Sequence, residues 1–225
     1  AVHWPPGRKG TFVQCAAHGN HGYIGLPVAL YFLGENGLVK ASILAGFLMI
    51  LQNVLSVLVL QAYAIGEGGG WRKSQTIAKN LLRNPIILSA LAGVGVSFWN
   101  IPIPLTLQRF LEILSGLAPP MSLLLIGASL SIRVMRQNWL SVVGAVVVKI
   151  IALPVLGISL FTIFGVDPAD FSPALILLAT PTATVAYVMS REMHGDESFA
   201  VAAISTSTTF SAVTYLIWLT LVGQG

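Results

Sequence analysis

The sequence predicts an all-α, polytopic membrane fold, and three observations carry that reading. Of the 225 residues, 55 % are hydrophobic and only 9 % charged, with a mean hydropathy of +0.82; an ordinary soluble chain is about a quarter charged. The apolar stretches run for about 20 residues without the period-two alternation of a membrane β-strand. The basic residues fall between these stretches rather than in one patch. The net charge of +4 therefore reports topology, and no nucleic-acid partner is expected. Soluble enzymes and secreted disulfide scaffolds are excluded on the same grounds, and the single cysteine, Cys15, permits no internal disulfide.

Residues 1–10 form a polar stub with Arg8 and Lys9 and no signal-peptide core. Seven spans are expected after it, over 12–33, 38–64, 85–98, 105–130, 139–164, 171–190 and 199–222. The third is short and is expected to extend backwards past Pro85, since proline is tolerated in a first helical turn. Residues 65–84 are the longest connection. Gly66, Gly68, Gly69 and Gly70 read as a flexible linker, and Arg72, Lys73, Lys79 and Arg83 as a lead-in at the membrane surface. Three segments follow: 1–64, the end of a first repeat; 65–84, a cytoplasmic linker; and 85–225, a second repeat.

Alternate connections hold Arg8 and Lys9; Arg72, Lys73, Lys79 and Arg83; Arg133 and Arg136; and Arg191. The opposite connections hold Glu35, Asp167 and Asp170. The positive-inside rule puts the basic set in the cytoplasm, so residue 1 lies inside and residue 225 outside, in what is expected to be a bacterial inner membrane.

Two spans contain residues that plain lipid-facing helices avoid. The first carries His18, Gly19, Asn20, His21, Gly22, Gly25 and Pro27; the sixth carries Thr180, Pro181, Thr182, Ala183 and Thr184. Proline removes a backbone donor and crowds the carbonyl four residues back, and a freed carbonyl in hydrocarbon needs protein or a wet cavity to satisfy it. Two interrupted spans, well apart in the chain, point to an inverted-repeat secondary transporter with two broken helices crossing at mid-membrane. Helix N-termini at such a crossing present positive partial charge to an anion.

Lys149 lies near mid-bilayer and reads either as a partner for a helix end or as a charge supporting a site. His18 and His21 lack a carboxylate partner, so no metal site and no cofactor are expected. Arg109 and Glu112 read as an i,i+3 pair. The hydroxyls of the last span read as packing, and Trp99, Trp139 and Trp218 as interfacial anchors.

These motifs resemble the auxin efflux carrier family of membrane transporters, which includes plant PIN-like exporters and bacterial organic-acid permeases. The resemblance rests on the run from Gly19 to Pro27, on Arg83-Asn84-Pro85, on the stretch from Ala118 to Leu130, and on Pro181-Thr182-Ala183 with Tyr187-Val188. It implies a ten-helix inverted repeat of which this chain supplies seven spans, three N-terminal ones lying outside it, and a homodimer. It implies a substrate site at Asn20, Gly25, Pro27, Pro181, Thr182 and Ala183, supported by Lys149. The plant exporters differ at Thr182 and Ala186, which favours a small carboxylate such as malate or malonate over auxin.

The expected function is thus secondary transport of small organic anions by elevator-like alternating access, not catalysis, with H⁺ or Na⁺ as a possible coupling ion. The alternatives are a bile-acid or cation-antiporter type of carrier, whose midplane carboxylates are not seen in these spans, and a seven-helix receptor using Lys149 as a chromophore lysine.

Overall fold

The computed structural model describes residues 4–64, 85–129 and 139–222. Its elements are α1 (Pro6–Ala17), a π-turn π1 (His21–Gly25), α2 (Leu26–Ala64), α3 (Pro85–Phe98), α4 (Leu105–Ser129), α5 (Trp139–Val147), a second π-turn π2 (Val148–Ala152), α6 (Leu153–Ile163), α7 (Pro168–Leu178), α8 (Val185–Glu192) and α9 (Glu197–Val222). The fold is all-α. The expected linker over 65–84, any extension before Pro85, and Arg133 and Arg136 lie outside the described residues.

Three helical stretches among the described residues are long and apolar enough to cross a membrane by themselves: His21–Ala64, Trp139–Ile163 and Glu197–Leu221. The first would span about 66 Å if straight, roughly twice a bilayer core. It is two legs. Gly34 stands at φ 69° and ψ −168°, a left-handed conformation that favours glycine, and breaks the helix there. Ala29 and Ala41, on either side of it, sit in one buried cluster, so residues 26–33 and 35–64 both contribute to it.

Both π-turns have the same cause. Leu26 donates to the carbonyl of His21, and Leu153 to that of Val148, each five residues back; the next residue is Pro27 in one case and Pro154 in the other. Proline has no N–H, and its ring would strike the carbonyl beneath it; one wide turn relieves that crowding without ending the helix. The carbonyl orphaned four residues before Pro154 is that of Ile150. It accepts a hydrogen bond from Trp218 Nε1 at 2.9 Å.

The buried residues form three clusters around the two interrupted spans. Cys15, Ala145, Ala186, Ala200 and Ala203 let α1, α5, α8 and α9 approach closely. Ile176, Ala179, Tyr215 and Trp218 join α7 and α9 to the residues around Ala29. Val57 and Leu60 pack on Met189 and Met193. The connection after α3 and the first half of α4 contrast with this body, since every residue from 101 to 117 is exposed. Ion pairs mark the two ends of the bundle: Arg8 Nε meets Asp196 Oδ2 at 2.8 Å, and Lys40 Nζ meets Asp170 Oδ1 at 2.6 Å.

Candidate functional site

The two interrupted spans cross. Helix α1 stops at Ala17, and His18 turns to an extended conformation; α7 stops at Leu178, and α8 begins at Val185. Between these ends Gly19 and Thr182 form an antiparallel bridge. The Asn20 N–H donates to the Pro181 carbonyl at 2.9 Å, and the Ala183 N–H to the His18 carbonyl at 2.9 Å. Two unwound strands at membrane depth thus satisfy each other, as backbone cut off from water must. Glycine permits the approach. A Cβ on Gly19 would collide with the Thr180 hydroxyl, and one on Gly25 would come within 2.8 Å of Leu177 Cδ2.

Side chains close the remaining gaps. Gln52, from the 35–64 leg, donates from Nε2 to the Ala17 carbonyl and accepts at Oε1 from the Gly19 N–H, both at 3.2 Å, in the manner of a peptide bridging the break. The Thr182 hydroxyl donates to the Cys15 carbonyl at 2.9 Å, while its N–H donates to Ser207 Oγ at 3.1 Å. Lys149 Nζ, on π2, donates to the Leu178 carbonyl at 2.8 Å. Tyr215 donates to the Ile176 carbonyl at 3.0 Å.

Beside the crossing is a cavity of about 240 Å³, whose walls include His18, Asn20, His21, Asn53, Ala183 and Thr184. The N-terminal ends of π1 and α8 lie at this cavity, where exposed N–H groups and helix dipoles favour negative charge. Among the described residues, none of its walls is a lysine, arginine, aspartate or glutamate. His21 Nε2 and Asn53 Oδ1 are buried without a hydrogen-bond partner, in a site where such atoms call for an explanation. His18 and His21 bond in different directions, to Ser56 Oγ at 2.8 Å and to Thr180 Oγ1 at 3.3 Å.

The predicted residues separate on this geometry. Asn20 and Ala183 line the cavity. Pro181 is buried in the crossing itself, and Gly25 is buried against Leu177. Thr182 is buried, but its hydroxyl is spent on Cys15, and the cavity wall is formed by Thr184 instead. Pro27 corrects the expectation. The break falls at His18–Asn20, and Pro27 lies well beyond it, exposed in the first turn of α2, where the π-turn absorbs its effect. Lys149 is buried behind the crossing and touches a helix end.

Three other expectations also change. Trp218 is buried and serves the orphaned Ile150 carbonyl, while Trp99 and Trp139 are exposed. Glu112 accepts from Gln108 at 3.0 Å, a turn away, and does not pair with Arg109. Most hydroxyls of α9 bond back to their own helix, as with Thr209 to Ser205, but Ser207 also holds the Thr182 N–H. Gln52, Asn53 and Ser56 escaped sequence reasoning. Three polar side chains within five residues of an otherwise apolar span were the available signal.

A family profile described as a membrane transport protein matches residues 70–219. The chain belongs to this family, that of the auxin efflux carriers. A protein described as "Putative malonate transporter" from Rhizobium meliloti is 30 % identical over 214 residues, covering 93 % of this chain and 66 % of the relative. Uncharacterized transporters of Methanocaldococcus jannaschii and Methanothermobacter thermautotrophicus are 23 % and 24 % identical, each covering 94 % of this chain and 68 % of the relative. The chain thus spans about two thirds of the length of these relatives. No solved structure matches it. Family membership and the apolar helices together make it an integral membrane protein.

Proposed function

We propose that this carrier-family chain contains the substrate site of a secondary transporter for small organic anions, malonate-like carboxylates among them. The observation that carries the reading is the crossing of His18–Asn20 and Pro181–Ala183, with a cavity beside it onto which two helix N-termini open. A carboxylate there would receive backbone N–H groups at the starts of π1 and α8, with Asn20, Asn53 and Thr184 as orienting side chains. Gly25, Pro181 and Thr182 shape the crossing from behind, and Lys149 acts from the helix end. The R. meliloti relative supports malonate as the first substrate to try.

The contrast between the tightly packed crossing body and the exposed residues 101–117 supports an elevator-like motion of that body against the part of the protein containing α4. The end of the bundle bearing Arg8 and Arg191 would face the cytoplasm under the positive-inside rule. The test is uptake of labelled malonate, malate and an indole acid into vesicles by the full-length protein. Asn20→Ala is expected to lower transport by at least about tenfold, the scale of losing one well-placed polar contact worth 1.4 kcal/mol. Undiminished transport of every accepted substrate by that variant would remove Asn20 from the site.

A further inference from the structure

The C-terminal end of α7 bears on how a carrier of this kind is driven. The last four carbonyls of a helix have no partner within it, and they concentrate negative partial charge. At mid-membrane such an end can hold a coupling cation. In this chain all four are occupied by protein donors. The Leu175 carbonyl accepts from the Ala179 N–H at 2.9 Å, and that of Ile176 from the Tyr215 hydroxyl at 3.0 Å. The Leu177 carbonyl accepts from the Thr180 hydroxyl at 2.6 Å, and the Leu178 carbonyl from Lys149 Nζ at 2.8 Å.

The matching end of α1 is nearly as full. The Gln14 carbonyl accepts from the His18 N–H at 2.8 Å, that of Cys15 from Thr182, and that of Ala17 from Gln52. Lys149 is 1 % exposed and reaches this position from a π-turn that Pro154 imposes. Neither described ion pair includes it.

We infer that Lys149 is a positioning residue whose terminal nitrogen serves as a tethered cation at the carbonyl end of α7, where a coupled carrier would bind Na⁺, and that the crossing works without a metal cation there. A cation at a helix C-terminus is favoured by the dipole whether it arrives in solution or on a side chain. A side chain, unlike a free ion, cannot leave with each transport cycle. The inference rests on the crossing geometry and on the reading of that crossing as part of a carrier.

The experiment uses full-length protein with three readouts. In the wild type, exchanging Na⁺ for N-methyl-D-glucamine at constant ionic strength should leave both the thermal midpoint and malonate uptake unchanged; a Na⁺-specific rise in either would overturn the inference. Lys149→Ala should lower the midpoint and reduce uptake at least about tenfold. A short alkylammonium ion, from methyl- to propylammonium, should restore part of both. Lys149→Met, which fills the space without charge, should show the loss and no such rescue.

Rescue of both variants alike, or of neither, would mean that the stem and not the charge matters, and the inference fails. Should Lys149→Ala not fold, the wild-type Na⁺ comparison still decides. Should the wild type carry no organic anion at all, it is the functional reading that fails, and the thermal midpoints continue to test Lys149.

Discussion

Trp218 shows how one residue's role depends on a proline in another helix. An indole near a span end is ordinarily an interfacial anchor, yet here its N–H meets the carbonyl that Pro154 leaves free. Trp218→Phe keeps most of the ring and removes that donor. It should destabilise the protein by about 1–3 kcal/mol, the cost of a buried unpaired carbonyl, read as a lower thermal midpoint. Gln52 works at the same scale by mimicking a peptide group across the first break. Gln52→Leu should leave the fold intact and weaken substrate binding, since the Gly19 N–H and Ala17 carbonyl beside the cavity would lose their fixed geometry; unchanged affinity in a binding titration would argue against that role. Asn20 and Asn53 were unequally visible for a plain reason. Asn20 sits among glycines and next to histidines, whereas Asn53 is set in an apolar run whose two ends look like any lipid-facing helix.

At the scale of elements, the repeated Leu-Pro pairs are instructive. Leu26-Pro27 and Leu153-Pro154 each follow a π-turn, and in neither case does the proline break its helix. The sequence rule that proline interrupts a span located the disturbance in the right span but the wrong place. Backbone hydrogen bonding can widen a turn at lower cost than it can abandon a helix in hydrocarbon. The true break at His18–Asn20 has no proline at all. It persists because the second span offers Pro181 and Ala183 as partners. Pro154→Ala should let α5 and α6 merge into a regular helix, moving Lys149 off the Leu178 carbonyl. The expected result is a loss of transport resembling Lys149→Ala, without a drop in thermal midpoint of the same size, since Ile150 would gain an intrahelical donor.

Across the whole molecule, the two ion pairs tie distant connections into common ends. Arg8 with Asp196 and Lys40 with Asp170 fix which connections lie together, while the positive-inside rule supplies which end faces the cytoplasm. Single cysteines at Arg8 and Lys40 should therefore label with an impermeant maleimide from opposite sides of an intact membrane. Cys15 is fully buried and should stay silent in this assay. Labelling of both from one side would reject the topology.

Composition and span length determined the membrane class, the order of the helices and the two spans that fail to run straight, because hydrocarbon permits little besides apolar helices and penalises each departure locally. Those are properties of single segments, and a segment carries them in its own residues. Only the tertiary structure decided where each break falls, which hydroxyl lines the cavity and which is spent on a neighbouring carbonyl, and what Lys149 touches. Each of those is settled by a partner 29 to 167 positions away, and the free energy of an orphaned backbone group depends on what meets it in space, which no local pattern of residues encodes.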